Sequence, residues 1–260
     1  MGRGIAEELG HAGATVYVTG RSVGDETTDD LPGTVTGTAR LVTEAGGEGI
    51  AVQCDHTDDD AVEALFERIE REEGHLDLLV NNVWGGYEGY GEGFDAPFWE
   101  QSVGTWDAMF DTGVRAHFTA SRLAAPLLFA SDAGLVVTVS SGDGDKFRGN
   151  VPYDTSKAAT ERMTRGMARE LRDRGVAAVA IQPGFTRTER VLDAFDGEEP
   201  PEETSSPRYV GRAVVALATD PDVLDCSGEV CPVGELAFAY GFTDVDGSQP
   251  QFALGEEWAL

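Results

Sequence analysis

The sequence contains little cysteine, little lysine and no long apolar run. No apolar stretch reaches the roughly 20 residues that cross a bilayer, and no signal peptide precedes the first motif. Cys54, Cys226 and Cys231 are too few and too irregularly spaced for a disulfide framework or a cysteine-rich metal site, so we interpret them as structural thiols. The sequence therefore predicts a soluble, cytoplasmic protein without a metal.

Positive charge is also scarce. The chain has 19 Lys and Arg against 47 Asp and Glu, a formal charge of −28, and Lys146 and Lys157 are its two lysines. Such a surface repels nucleic acid and anionic membranes, which excludes both as partners. The joint excess of acid and scarcity of lysine favours a halophilic protein, because high ionic strength screens self-repulsion. We expect it to unfold in dilute buffer.

Strand-like and helix-like segments alternate along the chain. Its 260 residues suit one α/β domain with a substantial core. Short apolar runs rich in β-branched residues predict buried strands at 15–19, 49–54, 76–80, 135–139 and 177–181. Helical patterns fall at 34–45, 58–73, 103–130, 152–173 and 207–219, with Thr57 and Ser206 as predicted N-caps. This order predicts a single domain with a doubly wound parallel sheet.

Two segments interrupt the alternation. Residues 84–102 are rich in glycine and aromatic residues, and residues 185–205 are acidic and contain proline. Loops that follow strand C-termini line the ligand crevice of an open α/β sheet, so we interpret both as substrate loops. For the aromatic residues, ordinary packing beneath a loop is an equal alternative.

Tyr153 and Lys157 form the pattern that points most directly to chemistry. They are four residues apart on a predicted helix, so they share a face, and a cation beside a phenol makes it easier to ionise. A preceding strand ends at Ser140-Ser141, where a hydroxyl can hold a substrate oxygen while the phenol exchanges its proton. This arrangement suits carbonyl reduction or alcohol oxidation. The alternative is an amphipathic helix with a surface lysine.

The N-terminal segment carries a weaker nucleotide-binding signal. Gly2 and Gly4 stand at the start of a helical pattern that runs into a strand, as in the second half of a glycine-rich nucleotide loop. Arg21 and Ser22 follow that strand, at the place where an NAD enzyme usually has an acidic residue. A cation and a hydroxyl suit a 2′-phosphate, so NADP is preferred over NAD. A surface Arg at a strand end is the alternative.

Taken together, these motifs resemble the short-chain dehydrogenases/reductases (SDRs) over nearly the full length. Asn81-Asn82 and Pro183-Gly184 each follow a predicted strand and complete the set. The resemblance implies a Rossmann-type fold, with Tyr153 as acid/base, Ser141 positioning the carbonyl and Lys157 lowering the Tyr pKa while binding the nicotinamide ribose. Ser140 is the competing serine. The further cofactor positions that it implies are Asp55 at adenine, Asn82, Pro183, Gly184, Thr186 and Thr188.

A narrower set of motifs resembles the subgroup of dehydrogenase/reductase SDR family member 1. It comprises Phe98-Trp99-Glu100, Trp106-Asp107, Gly113-Val114-Arg115, Val151-Pro152-Tyr153, the run 214–221 and Asp244-Val245-Asp246-Gly247. In this resemblance Gly113 replaces the Asn that usually completes a proton relay, so a water or another side chain must connect Lys157 to solvent. The resemblance also implies a homodimer or homotetramer, formed through the helices that contain Gly113 and Tyr153.

The first strand of that family and its leading glycines are missing from the sequence. That strand belongs in the middle of the sheet, between the predicted strands at 15–19 and 76–80, and without it buried edges lose their ladder partners. We therefore expect that the natural protein begins upstream and that Met1 is an internal residue.

The sequence thus predicts an NADP(H)-dependent oxidoreductase acting on a small carbonyl or alcohol. The rival hypothesis is a non-catalytic, truncated remnant or subunit that keeps the fold and does not bind cofactor productively. A nucleotide-binding sensor is a third reading, against which the complete Ser141, Tyr153 and Lys157 set argues.

Overall fold

Helices and parallel strands alternate in the computed structural model, which describes residues 1–24, 27, 33–86, 94, 96–141, 146–195, 201 and 203–251. The helices are α1 (Gly2–His11), α2 (Val35–Ala45), α3 (Asp59–Glu73), α4 (Val103–Phe110), α5 (Ala116–Leu128), α6 (Val151–Leu171), α7 (Glu189–Ala194), α8 (Pro207–Ala218) and α9 (Val233–Tyr240). The strands are β1 (Thr15–Gly20), β2 (Glu48–Gln53), β3 (Leu78–Asn81), β4 (Leu135–Val139), β5 (Ala177–Gln182) and β6 (Val230–Pro232). The predicted α/β class is confirmed.

The described residues divide into two compact units. The first takes Met1–Asp55, Pro183–Pro221 and the segment that starts at Pro232. The second takes His56–Gln182 and Asp222–Cys231. The predicted single domain stays a prediction.

The first unit is built on a two-stranded parallel sheet, in which β1 pairs with β2 from Thr15 opposite Glu48. Helix α2 packs on both strands, and α1 packs on α2 and α8. The α1–α8 crossing depends on glycine, because a Cβ on Gly4 would lie 2.5 Å from the Pro207 carbonyl carbon. Gly4 therefore has a packing role in addition to its place in the predicted glycine motif.

The second unit is built on a four-stranded sheet in the order β3-β4-β5-β6. Strands β3, β4 and β5 are parallel, and every residue of β4 is buried. Helix α5 covers β3 and β4, α6 covers β4 and β5, and α3 packs on α5. Strands covered on both faces need continuous apolar runs, which explains why they were recognisable in the sequence. The expected missing strand between β1 and β3 stays a prediction.

One local prediction is wrong, and another is refined. The N-cap of α3 is Asp58, whose carboxylate accepts from the Asp60 and Ala61 amides, and not Thr57. The predicted helix at 103–130 is divided into α4, a π-helical turn at Asp111–Arg115, and α5. A π turn adds one residue to the helical repeat, and such turns are frequent at functional sites. The Ser206 cap is confirmed, since its hydroxyl accepts from the Tyr209 amide.

Several elements were not predicted, namely β6, α7 and α9. Among the described residues, no helix is long and apolar enough to cross a membrane. Likewise, the described part of the chain contains no group of three or more His, Cys, Asp or Glu side chains that could hold a metal ion. All three cysteines are free thiols.

Candidate active site

The N-terminal turn of α6 places Tyr153. Asn150 caps the helix, and its Oδ1 accepts from the Tyr153 amide at 2.9 Å. The Asn150 Nδ2 donates to the Phe94 carbonyl at 2.8 Å, so one fully buried side chain joins the helix start to the loop after β3. A cap of this kind satisfies an amide that the helix leaves unpaired, and here it also orients the first turn.

Lys157 lies beside Tyr153, as the four-residue spacing predicted. The Lys157 Nζ is 5.7 Å from the Tyr153 ring centroid and 4.0 Å from the ring centroid of Trp84. The Trp84 and Phe94 rings both meet the Tyr153 ring edge to face, with centroids 5.5 Å away. The phenol is therefore held by two aromatic rings on one side of the helix, with the ammonium next to it.

Burial lowers the pKa of Lys157 to about 8, and repulsion from Arg148 acts in the same direction, while Glu161 raises it. The ammonium is still mostly protonated at neutral pH, since its pKa lies above 7. This pKa is also close enough to neutral pH for the group to exchange protons readily.

The two adjacent serines have different environments. The Ser140 hydroxyl donates to Glu161 Oε1 at 2.8 Å, and both side chains are buried. The Ser141 hydroxyl is buried and has no hydrogen-bond partner among the residues that the structure describes. A buried hydroxyl without a partner costs free energy unless a ligand or water completes it. Of the two serines, Ser141 is therefore the one whose hydroxyl can donate to, or accept from, a bound ligand.

Arg148 connects the strand end to the helix. Its guanidinium donates to the Ser141 carbonyl at 2.5 Å, its amide donates to the Asp154 carboxylate at 2.8 Å, and the two side chains form an ion pair. Asp154 directly follows Tyr153, so Arg148 connects the Ser141 backbone to the side chain of the residue next to Tyr153. It also supplies part of the positive potential around Lys157.

The π turn carries Gly113 and faces Trp84. A Cβ on Gly113 would lie 2.6 Å from Cζ3 of the Trp84 ring, closer than real Cβ contacts occur. The Thr112 hydroxyl accepts from the Gly85 amide at 3.0 Å and donates to the Ala108 carbonyl at 2.6 Å. The turn therefore holds the start of the loop that follows β3.

His117 is a second buried group next to this loop. Its Nε2 lies 3.0 Å from the Val83 carbonyl oxygen, so that nitrogen carries the hydrogen and donates it. Burial lowers the pKa of His117 to about 3, with a further contribution from Lys157. The ring is therefore neutral at ordinary pH, and its Nδ1 is an acceptor that finds no partner within the described residues.

In the first unit, the predicted adenosine-side residues come together at one sheet edge. Arg21 and Ser22 directly follow β1, and Asp55 lies two residues after the last residue of β2. Because β1 and β2 are parallel neighbours, the ends of both strands meet at the same edge. Gln53 Nε2 donates to the Arg21 carbonyl at 3.2 Å, which joins the two strand ends, and the Arg21 side chain is exposed.

The segment from Pro183 to Thr188 also belongs to the first unit. Gly184 has a φ of 75°, which favours glycine. Thr188 caps α7, while Thr186 is buried with a hydroxyl that has no partner among the described residues. An ion pair between Arg3 and Glu189 joins the start of α7 to the start of α1, next to Gly2.

Sequence reasoning missed Trp84, Arg148, Asn150 and His117 as site residues. A capping signal marks Asn150, because it is followed by Val151-Pro152 at the start of an apolar-periodic helix. No comparable signal marks the others, whose importance depends on contacts between distant segments. Asn82 follows β3 directly and is partly buried. Much of the predicted substrate loops, residues 87–93, 95, 196–200 and 202, lies outside the described residues.

The chain is similar to known proteins along nearly its whole length. The family described as short chain dehydrogenase matches residues 1–199. Dehydrogenase/reductase SDR family member 1 of Mus musculus is 38% identical over 270 residues, which cover 98% of this chain and 83% of that protein. A short chain dehydrogenase from Mycobacterium thermoresistibile has a TM-score of 0.81 at 24% identity and covers 98% of this chain and 89% of its own. A short chain dehydrogenase of Shigella flexneri 2a, solved with NADP, has a TM-score of 0.74 at 29% identity, and the match covers 89% of this chain and 91% of that chain.

Proposed function

Because this chain belongs to the short-chain dehydrogenase/reductase family, whose members are oxidoreductases acting on CH–OH and C=O groups, we propose that it uses NADP(H). The resemblance predicted from the sequence is confirmed. The proposed reaction transfers a hydride between nicotinamide and a carbonyl or secondary alcohol. The observation that carries the proposal is the Tyr153–Lys157 pair beside a strand end whose Ser141 hydroxyl lacks a partner among the described residues.

The residues present fit such a cofactor. In the first unit, Arg21 and Ser22 offer a cation and a hydroxyl for a 2′-phosphate, which favours NADP over NAD. The buried Thr186 hydroxyl, without a partner among the described residues, suits a hydrogen-bonding group such as a carboxamide. We assign cofactor contacts to Gly2, Arg21, Ser22, Asp55, Asn82, Pro183, Gly184, Thr186 and Thr188, with Tyr153 and Lys157 at the ribose. When bound, the nicotinamide supplies or accepts the hydride.

In the direction of reduction, Ser141 donates a hydrogen bond to the carbonyl oxygen and holds it in place. Tyr153 donates its proton to the same oxygen as negative charge develops there. The neighbouring Lys157 ammonium stabilises the phenolate that remains, and solvent then restores the proton. In oxidation the same groups act in reverse, with Tyr153 accepting the alcohol proton. Trp84 and Phe94 against the Tyr153 ring favour an apolar or ring-bearing substrate.

The test is NADPH oxidation against a panel of carbonyl compounds, in concentrated salt. We expect Tyr153→Phe to lower kcat by about 10²- to 10⁴-fold, because the general acid is lost, and to leave NADPH binding largely intact, since the other cofactor contacts remain. Tyr240→Phe is the matched control, since its hydroxyl bonds to Asp220. A chain that binds no NADPH and reduces no carbonyl would support the remnant hypothesis instead.

We further propose that the chain forms a homodimer or homotetramer through α5 and α6. Two large apolar side chains at or near α5 support this, since Phe118 is 55% exposed and Phe129 is 41% exposed. Light scattering of the native chain and of Phe118→Asp checks it. We expect the variant to have the lower mass, and equal masses would contradict an interface at this helix.

A further inference from the structure

The Trp84 indole lies between the π turn and the proposed acid/base pair. One face carries the Lys157 ammonium 4.0 Å above its centroid, and the Tyr153 ring meets it edge to face at 5.5 Å. We propose that Trp84 is a positioning residue that seats the Lys157 ammonium beside Tyr153, and that Gly113 is glycine because the indole occupies the space of its Cβ. This inference rests on the proposed function, in which Tyr153 and Lys157 exchange the proton.

An aromatic face attracts a cation because the ring quadrupole places negative potential above its plane, and Trp is the best such ring. The separation of 4.0 Å is well inside the roughly 6 Å over which this attraction is significant. The described residues offer Nζ no hydrogen bond or ion pair; its distance is 4.0 Å to the Trp84 ring centroid and 5.7 Å to the Tyr153 ring centroid, and Glu161 adds a longer-range attraction. The indole face therefore sets where the ammonium lies.

Two glycines form the slot that admits the ring. A Cβ on Gly113 would come within 2.6 and 2.9 Å of two Trp84 ring atoms, and a Cβ on Gly86 would come within 2.6 Å of a third. Gly113 has no left-handed backbone that would call for glycine, so the ring itself is the reason for glycine at this position. A side chain at position 113 would therefore displace the Trp84 ring.

The backbone on both sides of Trp84 is also held. His117 donates to the Val83 carbonyl at 3.0 Å, and Thr112 accepts from the Gly85 amide at 3.0 Å. Both side chains come from the π turn or from the first turn of α5. A ring that only filled space under a loop would not require hydrogen bonds from one helical segment to the backbone on both sides of it. These two hydrogen bonds therefore indicate that the position of the Trp84 ring is required.

The experiment uses the scarcity of lysine. The full chain contains two lysines, so protein labelled with ¹³C at lysine Cε gives two ε-methylene signals, and Lys146→Arg assigns them. Protons above an aromatic face are shielded, so the Lys157 signal is expected upfield of the Lys146 signal. Trp84→Leu and Gly113→Ala should both abolish that displacement, the second with the indole still present. The matched controls are Trp106→Leu, at an exposed indole that stacks on Phe110, and Gly104→Ala, where a Cβ would meet Ser102 Oγ at 3.6 Å.

In the same variants kcat for carbonyl reduction should fall roughly 2- to 30-fold, the range that a lost cation–π contact corresponds to, while both controls keep the native value. Trp84→Phe retains a smaller aromatic face, so it should keep part of the upfield displacement and part of the activity, even if Trp84→Leu does not fold. The spectra need neither cofactor nor turnover, so they test the position of the Lys157 ammonium on the Trp84 ring separately from the oxidoreductase activity. An Lys157 signal at the ordinary lysine position in the native chain, or one that stays upfield in Gly113→Ala, would overturn the proposal.

Discussion

Replacing each of the two adjacent serines by alanine separates structure from chemistry at the end of β4. Ser140 and Ser141 are neighbours in sequence, yet the Ser140 hydroxyl is bonded to a buried carboxylate and the Ser141 hydroxyl finds no partner in the described part of the chain. We therefore expect Ser140→Ala to lower stability and Ser141→Ala to lower activity.

The magnitudes follow from the burial of each contact. Ser140 is 3% exposed and its partner Glu161 is 5% exposed, so the bond between them is not screened by solvent. A hydrogen bond to a charged group contributes about 1.5–3 kcal/mol, which Ser140→Ala should remove from the free energy of unfolding. Ser141→Ala breaks no side-chain hydrogen bond in the described structure and removes a buried hydroxyl that has no partner there, so the free energy of unfolding should not fall. Losing the donor to the reacting oxygen should lower kcat about 10²- to 10³-fold.

Urea unfolding at fixed high salt, followed by tryptophan fluorescence, measures the first effect, and NADPH oxidation with one carbonyl substrate measures the second. The m value should be the same in all three proteins, so that midpoints can be compared directly. Ser141→Thr, which keeps a hydroxyl, should retain more activity than Ser141→Ala. The reasoning fails if Ser140→Ala loses activity per folded molecule while Ser141→Ala remains active.

Three further predictions follow from other parts of the molecule. Arg21→Ala should raise the KM for NADPH roughly 10- to 100-fold and change the KM for NADH little, because a charge-assisted contact to a 2′-phosphate is lost. Arg40→Ala, on the exposed face of α2, is the control. Equal effects of Arg21→Ala on both cofactors would contradict the assignment. Burial lowers the pKa of His117 from 6.5 to about 3, so in this window the unfolded chain binds a proton that the folded chain does not, and stability falls as pH falls. His117→Gln should therefore lose less stability than the native chain between pH 7 and pH 5, by up to about 1.4 kcal/mol per pH unit, and parallel urea midpoints would refute this. Finally, a formal charge of −28 predicts that the melting temperature rises steeply with KCl concentration, whereas a salt-independent melting temperature would argue against adaptation to a salt-rich environment.

The sequence by itself determined the fold class, because strands covered on both faces must be short continuous apolar runs and their helices must carry one apolar face. It also determined the Tyr153–Lys157 pairing, since two residues one helical turn apart share a face wherever the helix lies. The Ser206 cap and the family resemblance come from equally local patterns.

Only the tertiary structure decided that the Ser140 hydroxyl is bonded, because Glu161, which binds it, is 21 residues further along the chain. It also decided that the helix predicted at 103–130 contains a π turn and that the Trp84 indole fills the space beside Gly113. These features depend on contacts between segments that are far apart in the chain. No periodicity or local propensity encodes such contacts, because they exist only after the helices and the sheet have packed.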